Sequence, residues 1–153
     1  MRRRVALRRV AWLAGGAFAA AALNAAQAQI IVTSPEMVKS GLSALDQVAA
    51  ESGELIAAGN YDELARESER LDAGLASLES GIAAPPAQPS QSRAMLDLLI
   101  AKSRVAASAM GEAARTHNTS MVRVTTSQLV AAVKAIVALF PQELRPVHAP
   151  PAR

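Results

Sequence analysis

Two histidines, 13 carboxylates and no cysteine are what this chain of 153 residues offers for reactive chemistry. The missing cysteines remove disulfides, thiolate metal sites, covalent haem attachment and thiol catalysis together. A metal or haem centre inside a helical protein needs inward ligands at helical spacing, such as a carboxylate three residues before a histidine on each of two helices. No such pair is present. His117 falls in a turn between two helical segments. His148 sits past Pro141 and Pro146, off the helix that would have to present it as axial partner to Met37. Nucleophilic catalysis needs a hydroxyl, a base and a group that orients the base, and neither histidine has a carboxylate partner nearby in sequence. The carboxylate pairs Glu67 with Glu69 and Glu51 with Glu54 fall among other charges, on faces expected to be solvated. The expectation is a non-enzyme with no catalytic residue, no metal site and no cofactor. A small-molecule site in the core is disfavoured for want of convergent polar groups.

The segment from Leu129 to Phe140 stands apart, because it is apolar nearly all round with Lys134 as its one charge. Such a helix is either buried on most sides or offers a spare apolar face to a partner. If a face is spare, Val130, Val137 and Leu139 lie off the core seam and are the candidate partner-binding residues, for a protein partner or for self-association.

The elements that would carry these residues start after a leader. Arg2, Arg3, Arg4, Arg8 and Arg9 precede an uncharged apolar run from Val10 to Leu23, and Ala26-Gln27-Ala28 is a small-x-small cleavage site. Residues 1–28 are therefore expected to be a cleavable signal peptide, cut after Ala28, with a periplasmic or secreted product. The run is short of the roughly 20 residues that span a bilayer, so no permanent anchor is expected. Arg8-Arg9 has no Ser or Thr before it, which favours the general secretory route over the twin-arginine one. The alternative is a cytoplasmic protein whose translation starts downstream, for instance near Met37. Beyond the leader the count is 11 basic against 13 acidic residues. The sequence pI near 10.0 thus belongs to the leader, and nucleic acid is not an expected partner.

Residues 29–141 read as an all-α, antiparallel four-helix bundle made of two helical hairpins. Ser34-Pro35-Glu36 is a helix start, and Gly59 followed by Asn60 ends one helix and caps the next. The expected helices are about 35–58, 61–83, 92–116 and 119–140, with a proline-rich linker over 84–91 and a proline-rich mobile tail over 142–153. Apolar seams step by three and four: Val38, Leu42, Leu45, Ala49, Ser52 and Ile56; Leu64, Ser68, Leu71, Leu75, Leu78 and Ile82; Leu96, Ile100, Ser103, Ala107, Met110 and Ala114; Val122, Thr126, Leu129, Val133, Ile136 and Phe140. A shift of 58 residues superimposes all four, together with Ser34 on Ser92 and Asn60 on Asn118. This reads either as a repeated αα-hairpin or as the chance register of two Ala-rich hairpins. The halves carry opposite charge, −7 over Glu36 to Ile82 and +4 over Ser92 to Arg145, which favours their docking modestly.

The stretch from Leu55 to Leu64, with Gly59-Asn60-Tyr61-Asp62 at its centre, resembles flagellar export chaperones of the FlgN type, and Ala114 to Val122 is similar to a later segment of that family. The resemblance covers residues 36–140. It implies a cytoplasmic bodyguard for aggregation-prone terminal helices of filament-junction subunits, which the leader contradicts unless translation starts downstream. The function expected from the residues themselves is a non-catalytic exported bundle that binds a protein or envelope partner.

Overall fold

A computed structural model describes residues 30–147; the signal peptide expected over residues 1–28, His148 and the rest of the tail lie outside the described residues. Helix α1 spans Pro35–Ala58, α2 Tyr61–Ser80, α3 Gln91–Arg115 and α4 Thr119–Ala138, followed by one 3-10 turn over Gln142–Leu144. Consecutive helices pack side by side and α4 closes against α1, which makes a four-helix bundle. The seams form its core. Leu42, Leu45, Leu64, Leu71, Leu75, Leu78, Leu96, Met110, Leu129 and Ile136 are fully buried, while Ala49, Ile56 and Ser68 are half-buried near the hairpin end. Nearly two dozen apolar side chains leaving water together outweigh any surface ion pair, so burial is what holds the helices in place.

The helix ends follow their local chemistry. Ser34 Oγ accepts from the Met37 amide at 3.4 Å, with Pro35 in the first turn where its missing N–H costs nothing. At the first hairpin turn Gly59 takes φ +69°, and the amides of Gly59 and Asn60 bond back to Ile56 and Leu55 carbonyls. At the second turn His117 takes φ +52°, and the amides of His117 and Asn118 bond to Ala114 and Ala113. Asn60 and Asn118 then cap α2 and α4, their side chains accepting from Glu63 and Met121 amides. Substituting either asparagine by alanine should lower stability by about 1 kcal/mol, read as an earlier urea midpoint at unchanged slope.

Several boundaries differ from the sequence expectation. Helix α2 stops at Ser80 because residues 81–83 turn to pair with the chain ahead of α1, through Thr33 N–H to Gly81 O and Ala83 N–H to Ile31 O. Helix α3 is capped by Ser90, not Ser92, so Ser34 and its counterpart are out of step with the 58-residue shift that the asparagines obey. Helix α4 ends at Ala138, with Leu139 and Phe140 folding in after it. The tail is partly built in, since the Arg145 guanidinium donates to Phe140 and Ala138 carbonyls.

Two glycines set how closely α1 and α2 approach. A Cβ on Gly41 would lie 2.7 Å from the Leu78 nitrogen, and one on Gly81 would lie 2.7 Å from Val38 Cγ2. Arg93 closes the same end of the bundle from α3, bonded to the Ala83 carbonyl and, at 2.8 Å, to Asp97. Between the hairpins opposite charges meet at Arg104 on α3, which bonds Glu79 at 2.6 Å and lies 3.9 Å from Asp72, both on α2.

Candidate functional site

The partner-binding candidates on α4 are not brought together. Val130 and Val137 share the flank away from α3, whereas Leu139 is half a turn out of phase with Val130 and follows the helix end. All three are half-buried, and Val137 and Leu139 pack against the core. By length and composition α4 could cross a membrane. Here its Val122, Leu129, Val133 and Ile136 are core to the bundle.

Most of the exposed large apolar side chains of the four helices lie instead on the α3 side. Helix α3 carries a second stripe, Met95, Leu98, Lys102, Val105 and Ala109, stepping by three and four outside its seam. Helix α4 carries Met121, Val124, Gln128, Ala131 and Ala135 in the same rhythm. Of these, Leu98 is 48% exposed, Val105 71% and Val124 53%. Where the stripes face each other they leave a groove of about 660 Å³, lined by Leu99, Lys102, Val105, Ala106, Gln128 and Ala131 among others. Small residues on α4 and larger ones on α3 make its walls unequal. Lys102 has no ion-pair partner among the described residues. Sequence reasoning missed this groove by following only the dominant stripe of each helix, although the spacing from Met95 to Val105 was there to be counted.

On the opposite side of the bundle the carboxylates divide. Glu54 and Glu69 are exposed as expected. Glu67 is not: its side chain is 1% exposed, between α1 and α2. Its Oε1 accepts from Arg70 Nη1 at 2.6 Å, and its Oε2 is buried with no partner. Arg70 also approaches Glu51 at 3.4 Å and Glu63 at 3.5 Å. Burial pushes the Glu67 carboxyl above the usual carboxylate range, the Arg70 charge opposes this, and Glu51 and Glu63 add to it. The expectation of a wet face fails here because the side chain lies between α1 and α2, which approach closely two turns further along α2, at Gly74 against Gly41 and Ala44.

His117 is exposed in its turn, with its ring edge-on to Tyr61 at 5.5 Å, and Tyr61 Oη is 3.0 Å from Thr119 Oγ1. The contact on its ring is thus the edge-on Tyr61 side chain. Among the described residues no three His, Asp or Glu side chains are grouped closely enough to hold a metal ion. Comparison of the chain with known protein families, curated proteins and solved structures finds no match.

Proposed function

We propose that this chain is a non-catalytic binding protein whose groove between α3 and α4 receives one amphipathic helix of a protein partner, with acidic residues flanking that helix's apolar stripe. The observation that carries the reading is the pair of exposed secondary stripes bordering a single groove. Isolated surface leucines and valines need no explanation, but two parallel rows at helical spacing are what a third helix packs between. The α3 stripe from Met95 to Ala109 runs about 21 Å, the length of a four-turn helix, and the groove lies at its middle, between Leu99 and Ala106. The acidic flank follows from charge: residues 92–145 carry +4, and Lys102 stands in the groove wall. The leader supports an exported setting, so the partner is sought in the envelope. The export-chaperone reading would use the same groove on a cytoplasmic partner; N-terminal sequencing from the native cell separates the two, Gln29 at the terminus indicating export.

The test uses a synthetic peptide of about 18 residues, with leucines at i, i+3, i+4 and i+7 and glutamates on the flanks, read by fluorescence anisotropy. Binding should weaken with salt and exceed that of a lysine-flanked analogue. Val105→Ser, in the groove wall, with Val124→Ser, in the exposed row beyond it, should weaken it by about a hundredfold, through the loss of two valines that the bound helix covers, while the melting temperature hardly changes because both side chains are exposed in the free protein. Equal binding of both peptides, an unaffected double variant, or a dimer that occupies the groove would overturn the reading.

A further inference from the structure

The buried carboxylate between α1 and α2 lies beside a second cavity, unrelated to the groove. Close approach at Gly41 and Gly74, followed by the small side chains Ala44 and Ala73, leaves a trough of about 420 Å³. Its polar lining is Ser40, Gln47, Glu67, Arg70 and Ser77. Two of these keep acceptor capacity toward a ligand. Gln47 Nε2 donates to Glu51 at 2.6 Å, which leaves its carbonyl oxygen, and Ser77 Oγ donates to the Met37 carbonyl at 3.2 Å, which leaves its lone pairs. Glu67 supplies the strongest acceptor, because a nearly sealed carboxylate oxygen with no partner is costly to leave so.

We infer that this trough binds an aliphatic ammonium compound, its cationic end on Glu67 Oε2 and its methylene chain along Ala44, Ala73 and Gly74. An anion is disfavoured, since Glu51, Glu63 and Glu67 outnumber Arg70. A metal ion is disfavoured because these carboxylates are not grouped closely enough to coordinate one. An ammonium group, with three donors and no need for converging carboxylates, fits one buried oxygen plus the carbonyl and hydroxyl acceptors around it. Because Oε2 is buried, the ligand reaches it as the Glu67 carboxylate turns from Arg70 toward the trough. Arg70 is 56% exposed and already lies within 3.5 Å of Glu63 and Glu51, so it swings to them as the ligand takes Glu67.

The test is calorimetric titration of the full chain with 1,5-diaminopentane at pH 7 and low salt. Saturable one-to-one binding is expected. Glu67→Gln should weaken it at least about tenfold, in line with the loss of a charged hydrogen bond. Glu69→Gln, which removes an exposed charge two residues away, should leave it unchanged, and Arg70→Ala should tighten it by removing the competing cation. A melting curve confirms that each variant is folded. Absence of saturable heat, or equal weakening by Glu67→Gln and Glu69→Gln, would show that the diamine meets only diffuse surface charge and would overturn the assignment while leaving the α3/α4 groove untouched.

Discussion

Leu129→Ala is expected to cost about 2 to 5 kcal/mol, and Leu71→Ala about the same. Both side chains are fully buried, each at the middle of its helix's seam. Removing three carbons loses their transfer energy and leaves a cavity that stiff neighbouring helices can only partly close. The size is set by packing and should not depend on salt or pH. Because each hairpin buries its main apolar face against the other, both substitutions should lower one common transition. In urea, followed by circular dichroism, the midpoint should fall with the slope preserved. Two separated transitions, or a cost below 1 kcal/mol for Leu129, would show that the hairpins fold independently and that α4 is held by something other than its seam.

The seam residues were legible because helix periodicity and burial are the same fact seen from two sides: a residue every three or four positions meets the same neighbour. The hairpin turns were legible for a local reason, since Asn60 and Asn118 satisfy amides that have no other partner. What escaped was whatever depends on the distance between helices. Glu67 lies one position before Ser68 of the seam, on the flank turned toward α1. At an ordinary interhelix spacing that flank is wet. Close approach at Gly41 and Gly74 narrows the space between α1 and α2, and periodicity carries no information about that distance. The end of α2 escaped for a similar reason, because Gly81 gives its carbonyl to Thr33 and Ser34, residues distant in sequence. On α4, Val130, Val137 and Leu139 were grouped as off-seam positions, although Leu139 lies on the other side of the seam from the two valines. The exposed rows that do share a side, Leu98 and Val105 with Val124, were hidden by treating each helix as having one apolar stripe.

Glu67→Leu should make the protein more stable, by about 1 to 3 kcal/mol at neutral pH. Leucine fills similar volume, needs no hydrogen bond, and removes the unpartnered Oε2. Arg70 loses one carboxylate but keeps Glu63, Glu51 and water, so no buried charge is stranded. The pH dependence identifies the cause. Burial holds the Glu67 carboxyl above its ordinary range in the folded protein, so between the unfolded and folded values the native state binds the extra proton. Below about pH 4 the carboxyl is protonated in both states and costs no charge burial. As pH rises through the raised folded value, the native chain must bury an anion and its stability falls. The leucine variant has no such loss, so its advantage should be smallest in acid, where only the unbonded hydroxyl is relieved, and should grow to a plateau on the neutral side. Urea unfolding of both proteins at a series of pH values measures this difference directly. A leucine variant that is less stable, or an advantage that does not change with pH, would mean that Glu67 is not a strained anion in the folded chain.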